Sequence, residues 1–181
     1  MRMTIRRFEG HTPILEAGAW VDPTALVTGQ VRLGTDASIW PMSVLRGDIN
    51  RIEIGARTNV QDGTIVHVTH ASRFNPRGAP VIVGDDVTVG HKAVLHACSI
   101  EERCLIGMGA VILDEAVIRR EVIVGAGSVV PPGKELESGF LWLGAPARKV
   151  RPLTDEELEY LGYSADYYVD LARRHRSSGE E

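Results

Sequence analysis

Three histidines stand at spacings that one helix or one flat strand does not explain. His91 and His96, in GHKAVLHACSI, are five residues apart, and His67 lies upstream in TIVHVTH. Partners on one helical face fall three or four apart and partners on one strand face an even number apart, so a separation of five fits neither. Three neutral imidazoles with an open fourth position make a catalytic type of metal site, whereas structural zinc favours four protein ligands, often cysteines. Arg46 and Asp48, in LRGDIN, and Gln61 and Asp62, in NVQDGTIVH, add charge and hydrogen-bonding groups. What these groups can do together depends on the elements that hold them.

Those elements announce themselves as a repeat. An aliphatic residue recurs every six positions at Leu15, Val21, Val27, Leu33, Ile39 and Leu45. After three extra residues the beat resumes at Ile54, Val60 and Val66, and after a longer interruption at Val83, Val89 and Leu95. One residue is then dropped, and the series runs on through Ile100, Ile106, Ile112, Ile118, Val124, Val130 and Leu136. The fourth residue after each is usually small or β-branched, as at Ala37, Thr58, Ala93, Ser99, Ala110 and Ser128. Glycine often follows the aliphatic residue directly, as at Gly55, Gly90 and Gly107.

A six-residue unit cannot bury its own aliphatic side chain, so units must stack. The pattern resembles the hexapeptide-repeat proteins, which implies an all-β fold: a left-handed parallel β-helix of triangular section, three units to a coil. Nineteen units then make about six coils. The resemblance turns the aliphatic residue and the fourth one after it inward, and small residues near each corner permit the turn.

The predicted organisation is a β-helix domain over residues 1–151 and a C-terminal helix over 152–181. The stretch HASRFNPRGAP, residues 70–80, is expected as a loop ejected from the prism. Thr154 and Glu157 form a capping box that opens the helix, which should run to about His175 with an interruption near Gly162. Leu158, Leu161, Tyr168 and Leu171 should pack on the prism, leaving RRHRSSGEE as a solvated, fraying end.

The register accounts for the histidines. Units three apart lie on one face, about 4.8 Å above one another. The residues following Leu45, Val66 and Leu95 are Arg46, His67 and His96, which therefore form one column. Asp62 and His91, two places after Val60 and Val89, form a second column on another face, with Gln61 beside it. Stacked imidazoles can converge on one ion, because Zn–N bonds of about 2.0 to 2.1 Å leave ligand nitrogens a little over 3 Å apart. A ring-closed homotrimer would bring His91 of one subunit against His67 and His96 of its neighbour, making five residues an intersubunit spacing.

At LRGDIN, NVQDGTIVH and GHKAVLH the resemblance narrows to the gamma-class carbonic anhydrases, and it extends over nearly the whole chain. It implies a metal, zinc typically with iron or cobalt as alternatives, held by His67, His91 and His96 at a trimer interface. It also implies an ion-pair network of Arg46 and Asp48 reaching the neighbour's Asp62, with Gln61 as hydrogen-bond partner of the reacting water. The reaction implied is the reversible hydration of carbon dioxide to bicarbonate. Ile49 departs from the family, whose best-known active members carry a glutamate there, and the 70–80 loop has no acid to replace it as proton carrier. Two further readings are a hexapeptide acyltransferase, with one general-base histidine and a coenzyme A groove, and a metal-binding relative that is non-catalytic or hydrolyses a thioester.

Composition excludes other classes. Charged residues make up 24%, and 20 basic against 24 acidic groups give a formal charge of -4, so nothing favours nucleic acid or an anionic membrane. The N-terminus shows neither a leader nor a membrane span, which leads to a cytoplasmic expectation. Cys98 and Cys104 read as small buried residues, and His11, His70 and His175 lie outside the columns. Trp142 either lines a pocket or caps the prism.

Overall fold

A computed structural model describes residues 4–178. The beat becomes a parallel β-helix with three flat faces, and a hexapeptide repeat fits the left-handed form. On the first face Ile5, Val27, Leu45, Val66, Leu95, Ile112 and Val130 stack in register. The second face stacks Leu15, Leu33, Ile54, Val83, Ile100, Ile118 and Leu136. The third stacks Val21, Ile39, Val60, Val89, Ile106, Val124 and Trp142.

The prism is thus one coil deeper than nineteen units give. The additional units are those of Ile5, separated from the beat by an insert, and Trp142, which keeps the six-residue phase but is not aliphatic. Trp142 lies over Val124 and is 6% exposed, so it caps the core. Phe140–Leu143 then pairs antiparallel with Arg148–Pro152, ending the parallel stack.

From Val27 to Leu136 every aliphatic residue of the beat is buried. The cysteines find their explanation here. Cys104 fills the fourth place after Ile100, and Cys98 fills the inward place in the shortened unit after Leu95. Ser99, expected there, is turned out of the core, because the dropped residue shifts the phase by one. Burial pushes both thiols up to about 12, so they are inert packing groups at neutral pH. The inward hydroxyls of Ser43, Thr58 and Thr64 donate to carbonyl oxygens of Gln61, Gly84 and Gly90 in the next coil, which removes the penalty of burying them.

The corners use two positions for two different reasons. The left-handed residue is the third after the aliphatic one: Asp36, Arg57, Asp86, Glu115 and Glu121 all have φ between 56 and 60°. The glycine directly after the aliphatic residue serves close approach instead. A Cβ on Gly107 would lie 2.4 Å from the backbone nitrogen of Ala126.

The helix Asp155–Ser178 lies along the third face, against the strands of Ile39, Val60 and Val89. The capping box forms as expected: the Glu157 amide donates to Thr154 Oγ1 at 3.2 Å, and the Thr154 amide donates to Glu157 Oε2 at 2.9 Å. Gly162 does not interrupt the helix, since one glycine weakens a helix by roughly 1 kcal/mol without breaking it. Leu161, Ser164, Ala165, Val169 and Ala172 are buried, while Leu158, Tyr168 and Leu171 flank that stripe. Small residues carry most of the contact, so the helix axis can lie close to the sheet.

Within the described residues, 173–176 are anchored, contrary to the fraying expected of that stretch. Arg173 pairs with Asp36, Arg176 donates to the carbonyls of Gly18 and Ala19, and His175 packs on Trp20 and Trp40. The last three residues of RRHRSSGEE lie outside the described residues. The ejected loop is present, closed at its base by paired backbone hydrogen bonds of 2.9 Å between Thr69 and Ala79. None of the helices is long and apolar enough to cross a membrane among the described residues.

Candidate metal centre

Strands Val44–Ile54, Ile65–His67 and Val94–His96 are consecutive rungs of the first face. Arg46, His67 and His96 occupy matched positions on them. Register alone therefore stacks the two imidazoles, and the side chains complete the approach: His67 Nδ1 and His96 Nε2 are 3.3 Å apart.

The outer nitrogen of each ring faces a carboxylate. His67 Nε2 lies 3.1 Å from Asp48 Oδ1, and His96 Nδ1 lies 2.6 Å from Asp114 Oδ1. Asp48 is also paired with Arg46, and Asp114 accepts from Thr69 Oγ1 at 2.6 Å. With each carboxylate taking an N–H, neutral rings present lone pair to lone pair across the 3.3 Å gap, an arrangement that requires a proton or a cation between them. Tetrahedral Zn–N bonds would set two nitrogens about 3.4 Å apart. Donor chemistry and spacing thus fit a divalent transition metal, and the carboxylates are the partners that orient metal-binding imidazoles.

Electrostatics favour the ligand state of His67. Burial lowers the pKa of His67 and outweighs the opposing hydrogen bond to Asp48, so the ring stays neutral at physiological pH. Burial raises Asp48 and Asp114, but the hydrogen bonds from Arg46 and His67 to the first, and from Thr69 and His96 to the second, prevail; both stay below the usual carboxylate range.

Asp62 and His91 form the second column at the corner between the third and first faces, joined by His91 Nδ1 and Asp62 Oδ2 at 2.8 Å. Their side chains are 47% and 44% exposed, against 16% for both His67 and Asp48. Among the described residues of one chain, no three His, Cys, Asp or Glu side chains converge as a metal site. His91 stands apart from the pair, as the register requires. Its unit, Val89, comes between those of Val66 and Leu95 along the rising chain, so His91 lies between His67 and His96 in height. By the same rule Asp62 lies between Arg46 and His67.

Gln61 is 5% exposed and is held by a chain of buried groups. Its Nε2 donates to Asn59 Oδ1 at 3.0 Å, and Asn59 Nδ2 donates to Thr88 Oγ1 at 3.0 Å. Thr88 Oγ1 meets Ser164 Oγ of the helix at 2.8 Å. Gln61 and His91 share the wall of a groove of about 410 Å³ that continues between the corner and Tyr160 and Tyr168.

The expected residues therefore fall into two groups: Arg46, Asp48, His67 and His96 in contact, and Gln61, Asp62 and His91 on the neighbouring corner. Asp114, Thr69, Asn59 and Thr88 were not foreseen. Asp114 stands one residue after Leu113, which lies one coil above His96 in register, and that adjacency to the histidine column was a signal that could have found it.

A parallel hexapeptide prism carrying stacked, carboxylate-backed imidazoles defines the class: this chain belongs to the gamma carbonic anhydrase-like hexapeptide-repeat family. Residues 97–132 match the family model for bacterial transferase hexapeptide (six repeats), and residues 80–113 that for the hexapeptide repeat of succinyl-transferase. Among particular proteins, it is 46% identical over 181 residues to Protein YrdA of Escherichia coli (strain K12), covering 100% of this chain and 98% of that one. It is 42% identical over 178 residues to gamma carbonic anhydrase 2, mitochondrial, of Arabidopsis thaliana, covering 98% of this chain but 64% of that protein. The crystal structure of a hexapeptide transferase family protein from Anaplasma phagocytophilum superposes with a TM-score of 0.87 at 38% identity, covering 96% of this chain and 98% of that one.

Proposed function

We propose that this protein is a homotrimeric metalloenzyme of the carbonic anhydrase type, acting on carbon dioxide and bicarbonate, with His67 and His96 of one subunit and His91 of the next as metal ligands. The observation that carries the reading is the pair of carboxylate-backed imidazoles facing each other at 3.3 Å, a gap suited to a shared cation. Relatives named as gamma carbonic anhydrases support a metal cofactor in the family; the ion we propose is zinc, with iron or cobalt as alternatives.

Symmetry supports the third ligand. A threefold rotation about an axis parallel to the prism leaves heights unchanged. A neighbour's His91 then arrives between His67 and His96, and its Asp62 between Arg46 and His67. Arg46, nearly half exposed while paired with Asp48, is placed to take a second carboxylate across such an interface.

A bound divalent metal supplies hydroxide at neutral pH by lowering the pKa of water toward about 7. The chain does the rest. Asp48 and Asp114 hold the outer N–H of each paired imidazole, and Asp62 holds that of His91. Gln61 gives one amide hydrogen to Asn59, which fixes the side chain, and its side-chain oxygen would accept a hydrogen bond from the reacting water. Ile49, 43% exposed, offers no proton carrier beside the site, so turnover below that of a dedicated anhydrase is expected.

Carbon dioxide hydration by the metal-reconstituted protein, measured beside His96→Ala with sedimentation of both, tests the reading. The expected result is a trimer whose hydration rate falls to the buffer blank in the variant. Equal rates remove carbon dioxide as substrate, and a monomer removes the shared site. Binding of acetyl-coenzyme A without metal would favour the acyltransferase reading, which the hexapeptide transferase relative keeps in view.

A further inference from the structure

Two irregularities of the repeat meet at His96. The 70–80 loop interrupts the beat directly after the His67 rung, and the unit from Leu95 to Ile100 is one residue short. Either could be an accident of loop tolerance, but they place two side chains together. Thr69 stands at the base of the loop, fixed by its paired backbone hydrogen bonds to Ala79 and by Asn50 Nδ2, which donates to its carbonyl at 3.1 Å. Asp114 lies beyond the shortened unit. Ala97 of the shortened unit, whose backbone bonds to His67 in the coil below and Glu115 in the coil above, is buried and has no side chain past Cβ. The Thr69 hydroxyl and the Asp114 carboxylate meet at 2.6 Å, and the carboxylate's other oxygen reaches His96 Nδ1 at 2.6 Å. A second strut, Asn75 Nδ2 donating to Glu115 Oε1 at 2.9 Å, ties the loop itself to the residue after Asp114.

We infer that Thr69 and Asp114 are positioning residues for the metal centre: Thr69, fixed by the loop, anchors Asp114, and Asp114 holds His96 in the tautomer and orientation that leave Nε2 free for the ion. The ejected loop is then part of the metal site's support, and affinity for the ion depends on it. This rests on the metal reading above. Ligand imidazoles lose about 10–100-fold in metal affinity when such an outer partner is removed.

The test is zinc and cobalt affinity, by competition with a chromophoric chelator, for wild type, Thr69→Val, Thr69→Ser, Asp114→Asn and His96→Ala, with the visible spectrum of each cobalt form. Thr69→Val keeps the shape and removes the donor. It should bind about 10-fold more weakly and alter the cobalt spectrum, whereas Thr69→Ser should stay within about threefold of wild type. Asp114→Asn should lose about 10–100-fold and serves if the valine variant fails to fold. Metal-free melting temperatures of Thr69→Val and Thr69→Ser should coincide, which a purely structural role would not give. Wild-type affinity and spectrum in both Thr69→Val and Asp114→Asn, alongside loss in His96→Ala, overturn this inference and leave the metal reading intact. If wild type itself shows no His96-dependent uptake, the metal reading fails first and takes the inference with it.

Discussion

The coils above Ile100 and the coils between Leu45 and Ile100 share one framework and differ in discipline. From Ile100 to Trp142 the inward residue returns every six positions without a break. Between Leu45 and Ile100 the beat is broken three times, and each break delivers a group to the paired histidines or to a carboxylate that holds them. The extra residues before Ile54 contain Asp48, which holds His67; the ejected loop brings Thr69; the shortened unit lets Asp114 reach His96. The outward columns differ accordingly. Arg46, His67 and His96 are followed one coil higher by Leu113, and Asp62 and His91 by Met108. Regular repeat builds scaffold here, and departures from it build the site, as expected where local rules yield to function.

The sharpest way to break that contrast is to truncate equivalent outward residues in the two regions. His96→Ala should abolish stoichiometric zinc uptake, a loss greater than the roughly 10–100-fold of a missing outer hydrogen bond. Leu113→Ala, one rung higher in the same column, should bind zinc as wild type does. Metal analysis after gel filtration reads both, and equal binding by the two variants would erase the distinction.

Inward residues should show no such contrast. Leu95 lies beneath the site and Ile112 above it, and both are fully buried. Each truncation to alanine should cost about 2–5 kcal/mol in metal-free urea unfolding, since both leave a cavity in one continuous core. A cost confined to one region would mean that the two are separate cores.

The corners offer a finer comparison. Gly107 and Gly109 are two residues apart, yet a Cβ on the first would meet backbone at 2.4 Å while one on the second meets nothing within 4 Å. Gly107→Ala should therefore destabilise by about 1–3 kcal/mol through overpacking. Gly109→Ala bears only its positive φ, a position where Asp36 and Glu115 stand in other coils, and should cost about 1 kcal/mol, the low end of the left-handed penalty. Thermal unfolding of the pair measures the difference.

These comparisons also explain what could be read from sequence. The inward positions were legible because burial permits few residue types at a fixed period, and the phase alone stacked His67 on His96. Ile5 escaped because an insert separates it from the beat, and Trp142 because it keeps the period with a different residue. Asp114, Thr69 and Asn59 face outward or across corners, where no period restricts the residue type, so their roles show in the side-chain contacts they make between coils. The reason for each glycine was not legible, since a single sequence does not separate a residue chosen for positive φ from one chosen for close approach.

The smallest effect concerns the helix that spans both regions. Its first turn lies beside the upper coils, where Arg103 donates to the Leu158 carbonyl, and its last turns reach Asp36 near the base. Glu157 takes both forks of Arg151, at 2.7 and 2.8 Å, while its carboxylate accepts from the Thr154 amide. These partners, Arg151 foremost, hold its carboxyl down at about 2. A depressed folded pKa stabilises above the unfolded value and is lost as protons bind. The cap's contribution should thus be intact above about pH 4.5 and fade as pH falls toward about 2. Thr154→Ala should remove about 1 kcal/mol at neutral pH, and less at pH 2, where the glutamate half of the box is about half protonated. Hydrogen exchange should show the loosening in residues 155–161 and not in the strands of His67 and His96; protection lost equally at both ends would mean that the helix, and not the prism, holds the site in register.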